Sequence, residues 1–166
     1  GGDHEDTPAV AHFDVLGRVV RQVVTPDDGT TEYETVLELD IQGNTTTVTD
    51  PRGNDIQVQT FDLLGRPLFT GSADEGYTSA NSKGRTHVLP SADGQPVRTW
   101  KSGSLTLKQL YDELRRPTQL WVDEGSGERL VTLTIFGDEL TATADATTVS
   151  NGFLKGRPYQ VYDTAG

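Results

Sequence analysis

The chain contains no cysteine. That excludes a disulfide framework, a thiolate metal site and a cysteine nucleophile, and says nothing about the redox compartment. Basic residues are scarce: 14 Lys and Arg stand against 25 Asp and Glu, for a formal charge of −11 and a pI near 4.5. Nucleic-acid binding needs clustered Lys and Arg, so the balance argues against a nucleic-acid partner and against an anionic membrane surface. The acidity reads as solubility. No apolar run reaches the length of a membrane span. The opening Gly1-Gly2-Asp3-His4-Glu5-Asp6 has neither the basic start nor the apolar stretch of a signal peptide. Both ends read as cut from a longer chain.

Signatures of chemistry are missing too. There is no Gly-x-Ser-x-Gly elbow, no P-loop and no Gly-x-Gly-x-x-Gly ahead of a helix. His4, His12 and His87 lack ligand-like spacing, so a surface or strand role is favoured over zinc. The carboxylate pairs Asp27-Asp28, Asp74-Glu75, Asp112-Glu113 and Asp123-Glu124 sit in turns or loops, and adjacent strand residues point to opposite faces, which disfavours paired acid–base work on sugars. No enzyme, metal or cofactor is expected. Asn44-Thr45-Thr46 matches a glycosylation sequon, a pattern short enough to arise by chance.

What the chain does have is 18 Gly, 8 Pro and a recurring tetrad, Asp-x-x-Gly behind an aromatic or apolar residue. It reads Phe13-Asp14-Val15-Leu16-Gly17, Phe61-Asp62-Leu63-Leu64-Gly65, Tyr111-Asp112-Glu113-Leu114-Arg115 and Tyr162-Asp163-Thr164-Ala165-Gly166. The four aspartates recur at intervals of 48, 50 and 51 positions. Two further copies, Asp40-Ile41-Gln42-Gly43 and Asp50-Pro51-Arg52-Gly53, lie between the first pair. Self-similarity at a fixed period marks a repeat architecture. Asp at the first position of a turn accepts the backbone N–H two residues on, and Gly at the fourth tolerates the left-handed conformation of a bulged hairpin loop. Pro51 suits the second position. The preceding aromatic closes the incoming strand. Turn-making is therefore favoured over catalysis for each aspartate. Arg115, where Gly is expected, must adopt a left-handed conformation or use another turn.

Between turn signals the chain alternates with period two, as half-buried antiparallel strands do. Tyr33, Leu37 and Leu39 oppose Glu34, Glu38 and Asp40; Val131, Leu133 and Ile135 oppose Thr132 and Thr134. Leu107, Leu110, Tyr111 and Leu114 also fit a helical stripe, but the repeat register assigns 104–111 to a strand pairing with 117–122. Long loops are expected near 71–84 and 142–152. Trp100 and Trp121 suit either a sugar-stacking platform or packing between hairpins, with packing favoured. Arg98, Lys101, Arg115 and Arg116 suggest an inter-strand salt-bridge ladder rather than a ligand patch.

The tetrads with their flanking words, Thr49-Asp50-Pro51-Arg52-Gly53-Asn54, Phe61 to Arg66 and Gly156-Arg157-Pro158-Tyr159-Gln160-Val161-Tyr162-Asp163, resemble RHS/YD repeats. Thr7 to Asp14 and Leu114-Arg115-Arg116-Pro117 resemble the version found in bacterial toxin-complex B and C components and related RHS-repeat toxins. The resemblance implies an all-β fold, an array of antiparallel hairpins forming a sheet strip that spirals into a hollow shell. It implies that 1–166 is one segment of such an array, with a structural role: enclosing a C-terminal toxin domain of a secreted bacterial protein. Its partners would be the remainder of the shell and the enclosed cargo, with self-association possible through open sheet edges. Aspartyl self-cleavage in some relatives uses two Asp-Pro-x-Gly elements; only Asp50-Pro51-Arg52-Gly53 is present, so that activity is not carried over. The architectural alternative is a β-propeller, whose kelch and WD words are missing. The functional alternative is an extracellular carbohydrate-binding or adhesin repeat.

Overall fold

The computed structural model describes residues 9–26, 30–78, 80–81, 83–142 and 154–164. It is all-β and antiparallel. Twelve strands occur: β1 (Ala9–Phe13), β2 (Val19–Val24), β3 (Tyr33–Leu39), β4 (Thr45–Thr49), β5 (Asp55–Phe61), β6 (Pro67–Ser72), β7 (Arg85–Pro90), β8 (Pro96–Lys101), β9 (Thr106–Tyr111), β10 (Pro117–Asp123), β11 (Arg129–Phe136) and β12 (Pro158–Asp163). Helical geometry among the described residues is confined to short 3-10 turns at Ala73–Glu75, Ser102–Ser104 and Gly137–Ala142.

The chain divides into two compact units, Gly1–Val88 and Leu89–Gly166, with the boundary inside β7. In each unit, every strand pairs with its neighbour in sequence. In the first, β1 through β7 form one unbroken ladder of seven strands. A propeller blade has four strands, so the hairpin-strip architecture is the one observed. In the second unit, β8 through β12 form a like ladder. The ambiguous stretch is strand β9, with Lys108 opposite Trp121 and Tyr111 opposite Pro117. Its helical stripe is outweighed because the turn at Asp112 returns β10 along it. Register shifts of one residue recur beside the turns, as between His12 and Phe13 or Thr60 and Phe61. Such bulges increase the local twist of a strand.

Each unit is one sheet layer, and the cores are correspondingly small. Val23 is the buried apolar side chain of the first unit, and Val122 and Phe136 are those of the second, among the described residues. The stretch beginning at residue 71 opens with the last two residues of β6 and a 3-10 turn. Tyr77 then folds back so that its ring covers Gly71; a Cβ there would sit 2.7 Å from the ring. Arg85 lies 5.7 Å from the centre of the same ring, and Phe69 meets it edge-on at 6.3 Å. The loop expected near 142–152 falls almost wholly outside the described residues.

Candidate functional site

The repeated turn is the feature that most of the patterned side chains build. At Asp14, Asp40, Asp50 and Asp62 the geometry is the same. The Oδ1 atom accepts the N–H two residues on, at 2.8 Å from Leu16, Gln42 and Leu64 and 2.9 Å from Arg52. It also accepts the N–H four residues on, from Arg18, Asn44, Asn54 and Arg66, at 2.8–2.9 Å. The Gly N–H donates to the Asp carbonyl, and the Asp N–H to the carbonyl four residues on. Closing the loop this way puts the fourth residue in left-handed space: φ is 76° at Gly17, 95° at Gly43, 81° at Gly53 and 74° at Gly65. Asp112 builds the same turn with Arg115 at φ 64°, so this chain accepts the left-handed conformation without glycine.

The aromatics Phe13, Phe61 and Tyr111 are the last residues of β1, β5 and β9, each directly ahead of its aspartate. The Tyr111 hydroxyl donates to the carbonyl of Pro96 at 2.8 Å. Tyr162 and Asp163 end β12, opposite Leu133 and Thr132. Gly166 lies outside the described residues, as does His4.

Sequence reading does not place the residue after the tetrad in the turn, yet it completes it. Arg18, Arg66 and Arg116 donate from Nε to the second carboxylate oxygen of their own aspartates at 2.5–2.6 Å. Asn44 and Asn54 donate to theirs from Nδ2, at 2.8 and 3.3 Å. Successive turns on one edge of each unit are also linked. Arg18 reaches the Asp40 carbonyl and Gln42 reaches the Leu63 carbonyl in the first unit. Gln95 reaches the Arg115 carbonyl in the second, and Arg116 reaches Asp138.

These contacts set the electrostatics. Donation by the Arg18 amide lowers the Asp14 carboxyl, and the Arg66 amide does the same for Asp62. The Asn44 side chain lowers Asp40, and the Asn54 amide lowers Asp50. At Asp112, desolvation is the largest single effect and pushes upward, but the Arg116 amide and guanidinium, with the Leu114 amide, bring the carboxyl down overall. A carboxylate held ionised with its oxygens occupied is a poor general acid or base at neutral pH.

Other turns of this type carry less obvious signals. Ser91 replaces the aspartate in a turn whose Gly94 has φ 92°, with its hydroxyl donating to Asp93. Asp123 accepts the Gly125 and Gly127 amides at 2.8 and 3.0 Å. Asp138 accepts the Gly156 amide at 3.0 Å from 18 positions away.

Several of the remaining candidates have structural partners. Arg98 sits 6.0 Å from the Trp100 ring centre and Lys108 5.8 Å from that of Trp121. Glu128 bridges the two cations at 2.6 and 3.0 Å, and Arg115 pairs with Asp93. The indole of Trp121 donates to Gln119. His87 packs on Phe69, and the described residues contain no group of three or more His, Asp or Glu placed to hold a metal ion. No described helix is long and apolar enough to cross a membrane.

No protein-family model matches the chain, and no curated protein does. Solved structures do. The chain is similar to the structure of the Photorhabdus luminescens Tc holotoxin pore, at 22% identity and a TM-score of 0.76 over 97% of this chain and 8% of that one. It is similar to the TcdB2-TccC3 crystal structure, at 23% identity and a TM-score of 0.76 over 98% of this chain and 8% of that one. A TcdB2-TccC3-Cdc42 structure matches at 22% identity and a TM-score of 0.74, over 97% and 8%. The chain thus spans about 8% of the length of the chains it matches. The likeness is one of fold: the β-hairpin strip expected from the repeat words is the fold of a stretch of these toxin structures.

Proposed function

We propose that this chain is a stretch of wall in an RHS-type β-strip shell that encloses a toxin domain of a secreted bacterial protein. The observation that carries the reading is the single-layer construction. Among the described residues three apolar side chains are buried, and every residue of β1 and β12 is exposed. Single sheet layers with so little buried, whose strands β1 and β12 each pair on one side only among the described residues, suit parts of a larger assembly of the same kind. The toxin structures that share its fold, of whose chains it spans a small fraction, support the same reading. The role is mechanical, with no catalytic step of its own: the patterned carboxylates are spent on backbone donors. Its partners are the rest of the shell and the enclosed domain.

The alternative, a carbohydrate-binding repeat acting through Trp100 or Trp121, has weaker support, because Arg98 and Lys108 already lie against those rings. Deleting residues 32–70 from the full-length parent tests the two readings. The wall reading expects the enclosed domain to become protease-sensitive. Unchanged proteolysis with loss of glycan binding favours the adhesin.

A further inference from the structure

Residues directly opposite one another on paired strands share a face, and residues two apart on a strand do so as well. Traced through the register, the strand charge of the first unit lies on one face. Arg21 is two residues from Val23, which is opposite Glu34; Val36, opposite both Arg21 and Thr49, shares that face with Glu38. Arg85, opposite Gly71, joins them through Val58 and Thr47. The other face carries Gln22, Thr35, Gln57, Gln59, Thr70 and Thr86 among aliphatic neighbours, and none of its described strand residues is charged.

The second unit repeats the division independently. Arg98, Lys108 and Trp121 form one cross-strand row, joined by Glu128. The opposite face carries Val97, Thr99, Leu107, Gln109, Leu120 and Thr132. Its charges, Lys101, Arg129 and Asp163, stand only at strand ends. This uncharged face also holds a hollow of about 380 Å³, lined by Val97, Leu107, Gln109, Tyr111 and Leu120.

A chain of formal charge −11 that keeps charge off the strand interiors of one face of each unit, among the described residues, has put most of its strand charge on the other. We infer that the sparsely charged face of each unit is the one that meets the enclosed polypeptide, as a contact surface indifferent to the sign of the guest's charge. This rests on the wall reading. A charged face would hold guest segments of opposite sign and repel those of like sign. Amide and hydroxyl groups among aliphatic side chains exchange hydrogen bonds with any backbone and bind none of it tightly.

The test places a photoreactive benzoylphenylalanine at Gln57 or Gln109, on the uncharged faces, or at Glu38 or Lys108, on the charged ones. The probes are two permanently unfolded chains, reduced and carboxamidomethylated α-lactalbumin, which is acidic, and lysozyme, which is basic. Crosslinking to both probes from Gln57 and Gln109, several-fold above that from Glu38 and Lys108 and insensitive to salt, is expected. Equal yields from both faces, or capture of the basic probe alone from Glu38, overturns the inference. As a second variant, Gln57→Glu keeps the side-chain length and should make capture salt-dependent; unchanged behaviour also overturns it. In the full-length parent, a protease-protected domain that crosslinks to the charged faces sinks this inference alone, whereas an unprotected domain sinks the wall reading.

Discussion

Arg116 Nη1 donates to Asp138 Oδ2 at 2.6 Å, while its Nε donates to Asp112 in its own turn. The guanidinium also lies 3.9 Å from the centre of the Phe136 ring, one of the few buried side chains. One cation therefore ties two successive turns of the second unit to its small core. The donation to Asp138 raises the Arg116 pKa and lowers that of Asp138.

Arg116→Gln should release both carboxylates. Carboxyl resonances of Asp112 and Asp138 should titrate at higher pH than in the unaltered chain, with a lower thermal midpoint. An unmoved Asp138 titration would show that the Gly156 amide alone holds it ionised.

Asp14, Asp40, Asp50, Asp62 and Asp112 set an acid limit. Their folded pKa values lie below the unfolded value of about 3.9, so the stability they contribute is fully present above that value. It is lost as pH falls through the lower, folded values. The thermal midpoint should be flat from neutral pH to about 5 and fall below about 4. Unfolding centred above pH 5 would contradict this.

Left-handed strain is separable from crowding. A Cβ at Gly17 would meet nothing within 4 Å, so Gly17→Val should cost about 1–2 kcal/mol through φ alone, and Gly65→Val a similar amount. Arg115→Gly should gain about 0.5–1 kcal/mol, the relieved strain exceeding the lost surface pair with Asp93. Denaturant midpoints check both signs.

Gly71 tests the opposite case. Its φ is ordinary, but an added Cβ would strike the Tyr77 ring. Gly71→Ala should therefore cost about 1–3 kcal/mol. Adding Tyr77→Ala should then cost less than Tyr77→Ala does in the unaltered chain, a coupling that a double-mutant cycle measures.

The Asp-x-x-Gly turns are legible in sequence because their chemistry is local: donor and acceptor lie within four residues. Strand β9 is legible because the turn at Asp112 dictates its direction, even though Leu107, Leu110 and Leu114 keep a helical spacing. Contacts between distant residues are not legible. Asp138 finds Gly156 across 18 positions, and Tyr77 covers Gly71 only once β6 and β7 pair. The division of charge between faces is hidden for a related reason. Each bulge reverses the alternation, so the face of Asp55, opposite Thr49, follows from pairing rather than from counting along the chain.

The most direct measurement inserts a protease site into the C-terminal domain of the full-length parent and follows its cleavage under native conditions. The account predicts that the site stays uncut while the shell is intact and is cleaved once the shell is opened by acid below about pH 4, under an acid-active protease. Cleavage in the native protein as fast as in the isolated C-terminal domain would contradict it.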